Sequence, residues 1–92
     1  MGRKIIVVGD PTDHGGVVIS GSPTRNVDGK AMARLGDSVN CPQTYPGGKP
    51  HGVNAIVEGD ARFLVDGIAV ALEGHKTECG CSLIGTVNAS LG

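Results

Sequence analysis

The chain has 92 residues, a formal net charge of −1 and no long apolar run, which excludes a membrane-spanning helix and the clustered lysines and arginines that nucleic-acid binding needs. With sixteen glycines, one Tyr, one Phe and no Trp, the core of so small a domain is thin. A staple such as a bound metal is therefore expected.

The opening, MGRKIIVVGD, has an apolar run only from Ile5 to Val8. That is short of the roughly 7–15 residues of a secretory signal core, so the expected site of synthesis is the cytoplasm, with no cleavable export signal. GDPTDHGG (9–16) reads as a turn that presents His14. VVIS (17–20) and RNV (25–27) read as short strands, and Asp28-Gly29 as a two-residue hairpin. KAMARL (30–35) contains helix formers, but it is short and bracketed by glycines, so it reads as strand. GDSVNCPQ (36–43) is a second turn, presenting Cys41. NCPQTYPGGKPHG (40–52), with three prolines and three glycines, reads as an irregular surface loop carrying His51. AIVEG (55–59), RFLV (62–65), a second Asp-Gly hairpin at Asp66-Gly67 and IAVALE (68–73) continue the strand pattern. GHKTECGC (74–81) holds His75, Cys79 and Cys81, and SLIG (82–85) is a last short strand. The expected class is all-β, in one domain spanning 1–92, with no helix of ordinary length.

The pattern repeats. VDGKAMARLGD (27–37) aligns with VDGIAVALEGH (65–75) without a gap, HGGVVISGS (14–22) resembles HGVNAIVEGD (51–60), and CGCSLIGT (79–86) is a shorter third copy. Similar supersecondary units in fixed order stack around or along an axis, and three copies suggest a pseudo-threefold body. Laid on their opening glycines, the three turns put His14, Cys41 and Cys79 in one column.

All three histidines and all three cysteines fall in or beside these glycine-rich turns, which points to metal ligation. Zinc suits a mixed His/Cys set and can supply folding energy that a thin core lacks. Calcium and magnesium want oxygens, and iron–sulfur clusters usually take four cysteines. Three cysteines exclude a full disulfide framework, and a Cys79–Cys81 bridge would be strained. Cys79-x-Cys81 is also tight for two ligands on one ion. An enzyme reading is the alternative: a zinc hydrolase with Glu78 as base, or a thiol enzyme built on Cys41 or Cys79 with a histidine. No local signature supports it. The Gly15-Gly16 and Gly47-Gly48 pairs lack the helix and lysine of a phosphate cradle. Asp10 and Asp37 are expected to close their turns through side-chain hydrogen bonds.

GDPTDHGGVVISGSP (9–23), VDGKAMARLGD (27–37), the CP…HG pair at 41–52 and VALEGHKTECG (70–80) together resemble the PAAR family. The naming motif is degenerate here, as Ala31-Met32-Ala33-Arg34 and Ala69-Val70-Ala71-Leu72. The resemblance implies a small β-cone with a zinc near its vertex, seated by its base on the trimeric VgrG spike of the type VI secretion system. One copy would sit on each trimer, sharpening the spike to puncture a target membrane. The protein would act in the cytoplasm before assembly and be injected afterwards. It would have no catalytic role and no room for a fused toxin, so effectors would be separate proteins. The family pattern of three histidines and one cysteine implies His14, His51 and His75 with either Cys41 or Cys79 as the fourth ligand; Cys41 is the preferred one, which gives His14, Cys41, His51 and His75 and leaves Cys79 and Cys81 outside. The column alignment supports the rival set His14, Cys41, His51 and Cys79.

Overall fold

Asp28 and Asp66 both adopt left-handed backbone, with φ of 52° and 56°, and each is followed by a glycine, Gly29 and Gly67, at 78° and 79°. Two successive positive φ values define the tight turn whose twist matches that of paired strands, and aspartate tolerates this region better than most side chains. Each turn therefore closes a hairpin. β3 (Asn26–Val27) pairs with β4 (Lys30–Ala31), and β7 (Asp60–Val65) with β8 (Ile68–Val70). A third pair occupies the matching place but has no turn: β1 (Arg3–Lys4) pairs with β9 (Ser90–Leu91). The remaining sheet has the order β2 (Val17–Val18), β5 (Ser38–Thr44), β6 (Pro50–Ala55), all antiparallel. These elements come from a computed structural model that describes residues 3–44, 47–48 and 50–91; the side chains of 43, 44, 50 and 51 lie outside the description. The described residues contain strands, bridges and turns and no helix, as the all-β expectation required; no helix is long and apolar enough to cross a membrane.

The three repeats close on one another through the backbone. The Ile6 amide donates to the Ala71 carbonyl (3.0 Å), Ala33 to Ile6 (2.8 Å) and Ala71 to Ala33 (3.0 Å), completing a ring of three. A second ring runs from Val8 to Ala31, Leu35 to Ala69 and Glu73 to Lys4, each 2.8 Å. A third runs from Ile19 to Ser38, Val57 to Lys76 and Ile84 to Pro11, each 2.9 Å. Positions 6, 33 and 71 are thus equivalent, as are 19, 57 and 84. The pseudo-threefold arrangement inferred from the repeats is present, and each short segment obtains from its neighbours the hydrogen bonds it could not make alone. One detail of the sequence alignment shifts. Val18 and Ile56 are equivalent, which sets Gly52, not His51, opposite His14.

The core follows the same symmetry. Ile6, Ala33 and Ala71 pack with Val18, Ile56, Leu83 and Val39. A second cluster, Ile5, Met32, Val65, Val70 and Leu72, is covered by Val27, Phe63, Ala89 and Leu91 from the hairpins. Fully burying one of the larger aliphatics stabilises by roughly 1.5–3 kcal/mol, so the two clusters give the ring a real but small core.

The expectation of an irregular loop over 40–52 is corrected. Residues 40–44 and 50–52 extend β5 and β6 into a hairpin, with Cys41 opposite Gly52 and Thr44 opposite Pro50. Pro42 is tolerated because, among the described residues, β2 pairs β5 only at Val39 and Asn40, and the β5–β6 register shifts between Cys41 and Thr44; Pro46 lies outside the described residues. Proline is accommodated at such edges and bulges. The chain is elongated, with principal extents of 39 × 26 × 23 Å.

Candidate metal centre

Two turns of the same design carry the first donors. The Thr12 amide donates to the Gly16 carbonyl at 3.0 Å, and the Gly16 amide returns a bond to the Thr12 hydroxyl at 2.9 Å. The Thr77 amide donates to Cys81 at 3.0 Å, and the Cys81 amide returns to the Thr77 hydroxyl at 3.2 Å. Threonine suits this place because its hydroxyl can satisfy a nearby backbone amide. His14 and Cys79 occupy the same position of their turns. Leu83 and Cys81, two apart in an extended segment, share the inward face; Val18 and Gly16, Ile56 and Asn54, and Val39 and Cys41 stand in the same relation. The core layer therefore continues into Cys41 and Cys81.

These turns converge. His14 Nδ1 lies 3.0 Å from Cys81 Sγ, and Cys81 Sγ lies 3.3 Å from Cys41 Sγ. The three donor atoms fall within 4.8 Å of one another, the one such group among the described residues. Cys41 and Cys81 are buried and His14 is partly exposed. Cys79 Sγ touches Cys81 Sγ at 3.1 Å and the Thr77 hydroxyl at 3.3 Å, from outside the group. Burial opposes ionisation of both thiols, but at Cys79 hydrogen bonds from Thr77 and Cys81 outweigh it and hold the thiol down at about 6. At Cys81, burial and then the neighbouring Cys79 and Cys41 push the thiol up to about 12.

The donor set fits zinc. A tetrahedral ion with bonds of about 2.0–2.3 Å to nitrogen and sulfur holds its ligands about 3.5–3.8 Å apart, and two sulfurs and an imidazole nitrogen lie within 4.8 Å of one another here. Asn54, at the inward position equivalent to Cys81, has a buried Oδ1 with no hydrogen-bond partner, an acceptor that positive charge at this end would satisfy.

Of the residues expected as ligands, His14 and Cys41 are brought together. The backbone of His51 lies in β6, next to Gly52, the partner of Cys41; its side chain lies outside the described residues. His75 is not brought to the group. Its Nδ1 accepts the Leu72 amide at 3.0 Å, so the ring carries its proton on Nε2 and offers no lone pair there. The same bond is made by Asp10 Oδ2 from the Val7 amide (2.9 Å) and by Asp37 Oδ2 from the Arg34 amide (2.8 Å). The turn-closing role expected of the two aspartates holds, and His75 is the third member of that set. Burial, and then Arg3, lower the His75 pKa, while Glu58 and Asp60 pull the other way. Cys81 is the donor that neither expected ligand set contains. Its signal was the two-residue step to Leu83 on the inward face, not the turn column.

A pseudo-threefold β body with a His/Cys group at the end of its core is the class of protein the geometry defines. The family model of the PAAR motif matches residues 8–85, and the chain belongs to this family of small conical β proteins, which form the spike tip of the type VI secretion system and are associated with its VgrG spike. It is a family of structural spike components. No curated protein matches the chain.

Proposed function

We propose that this chain caps the blunt end of a trimeric VgrG spike, one copy per trimer, and sharpens it for puncture of a target membrane. The observation that carries this reading is the closed ring of backbone bonds through Ile6, Ala33 and Ala71, which gives one chain three similar faces. A threefold partner presents three identical edges, and a pseudo-threefold chain meets all of them with a single copy. Ile19, Val57 and Ile84 are equivalent positions, and all three are exposed aliphatics, which supports an apolar contact repeated around the axis. With a net charge of −1, electrostatic docking is the minor term. The role is mechanical and not enzymatic. The protein waits in the cytoplasm, leaves with the spike, and can link separate effectors to it.

Zinc is the resident ion in this reading. His14, Cys41 and Cys81 hold it, with His51, beside the partner of Cys41 in β6, as the fourth ligand. When bound, it would tie the two threonine turns to the β5–β6 hairpin and add folding energy at the end of the core layer. The test is light scattering of the chain mixed with the trimeric spike. A 1:3 complex that persists in high salt is expected. Three copies per trimer, or dissociation by moderate salt, would remove the tip reading.

A further inference from the structure

Cys79 is left over by the ligand set, yet its sulfur lies 3.1 Å from that of Cys81. Cys81 is 0 % exposed and Cys41 1 %, whereas Cys79 is only part-buried. The thiol that solvent reaches thus touches a thiol that solvent does not reach. The Thr77–Cys81 turn holds the two together: the Gly80 amide bonds the Thr77 carbonyl at 2.9 Å, and Gly80 takes a φ of 88°, folding the chain back so that side chains two apart meet.

We propose that Cys79 is a redox gate on the metal centre: a peroxide oxidises it, Cys81 resolves it to a Cys79–Cys81 disulfide, and the zinc is released. This rests on the proposed zinc reading. The Cys79 thiolate attacks one peroxide oxygen, the O–O bond breaks, and hydroxide leaves to be protonated as water, giving a sulfenic acid. The Cys81 sulfur then attacks the Cys79 sulfur. The S–S bond forms, the S–O bond breaks, and a second hydroxide leaves as water. Two thiolates, one hydrogen peroxide and two protons give one disulfide and two waters, the two electrons passing from sulfur to oxygen. Cys81 no longer offers a thiolate, and His14 and Cys41 are left as the remaining donors of the described group. A bridge between residues two apart is strained, and strained disulfides are the readily reduced ones, so a dithiol resets the gate.

The test treats zinc-loaded full-length protein with one equivalent of hydrogen peroxide. Released zinc is followed with a chromophoric chelator, and the bridge is located by mass spectrometry of peptides. One zinc released per peroxide, a Cys79–Cys81 bridge, and recovery of zinc binding after dithiothreitol are expected. Cys79→Ser and Cys79→Ala should bind zinc as the parent does and release it at least tenfold more slowly. Release from these variants at the parent rate, or a bridge mapped to Cys41–Cys81, overturns the gate and leaves the zinc reading standing. Variants that no longer bind zinc make Cys79 a ligand and overturn the gate as well. Parent protein that holds no zinc after loading overturns the zinc reading itself, and the gate with it.

Discussion

The ring of repeats and the His/Cys end are built on opposite principles. In the ring, three copies make the same backbone bonds although their side chains differ: Ile6, Ala33 and Ala71 share one role, and Val18, Ile56 and Leu83 another. At the other end, equivalent positions carry side chains that are not interchangeable. His14, Cys41 and Cys79 form one set, and Gly16, Asn54 and Cys81 the next. Backbone pairing tolerates sequence drift because every residue but proline brings the same donor and acceptor. A metal centre does not, because it needs particular lone pairs at particular distances. The ring should therefore yield gradually to substitution and the metal end abruptly.

The largest expected effect tests the abrupt end. Cys41→Ser, Cys81→Ser and His14→Ala should each lose zinc, and excess chelator should act on the parent as they do. Structural zinc supplies several kcal/mol, and a domain of this size shifts by about 4–8 °C per kcal/mol, so a fall of at least about 15 °C is expected in calorimetry. Equal melting with and without chelator would place the stability in the ring alone.

A smaller effect probes the ring. Gly59 passes so close to β8 that an added Cβ would lie 2.9 Å from the Ala69 Cβ and 3.0 Å from its carbonyl oxygen. Gly59→Ala should cost about 1–3 kcal/mol through forced displacement while zinc stoichiometry stays unchanged. Loss of zinc in this variant would show that the two regions are coupled.

The smallest effect concerns the three equivalent turns. The folded state lowers the His75 pKa, chiefly by burial, so near the ordinary histidine value the unfolded chain binds more protons. Stability from this turn is then fully present above about pH 6.5 and falls as the pH drops below it. His75→Asp puts in the residue that closes the other two turns. In excess zinc, the unfolding free energy of the parent relative to His75→Asp, read from urea titrations, should decline between pH 7.5 and pH 5, by about 1 kcal/mol, the worth of one backbone hydrogen bond. A constant difference would mean that His75 binds its proton alike in the folded and the unfolded chain.

This contrast also explains what could be read from the amino acids. The repeats, the two Asp-Gly turns and the turn-opening glycines were legible because each carries a local backbone demand: Gly9, Gly36 and Gly74 all take positive φ, of 98°, 92° and 89°. The β5–β6 hairpin was not. Its prolines and glycines mask a pairing that rests on only one side of β5, and no alternating apolar pattern advertises it. At the His/Cys end, the turn column picks out His14 and Cys41, which the structure brings together, but it passes over Cys81, because the inward strand position it occupies is filled by Gly16 and Asn54 in the other repeats and shows no shared chemistry. His75 misled for the converse reason. It looks like a ligand by residue type, while its place in the turn is that of an aspartate.

The pairing of Arg3 with Leu91 and of Lys4 with Ser90 stands where the other repeats have a hairpin closed by Asp28-Gly29 or Asp66-Gly67. The topology therefore contains three interchangeable seams, of which two are sewn by a turn and one is left open. A circularly permuted chain, reopened at Asp28-Gly29 and joined by a short linker between β9 and β1, would trace the same three rings of hydrogen bonds in a different order of synthesis. In that chain the order of the repeats would change while the ring bonds through Ile6, Ala33 and Ala71 would be kept.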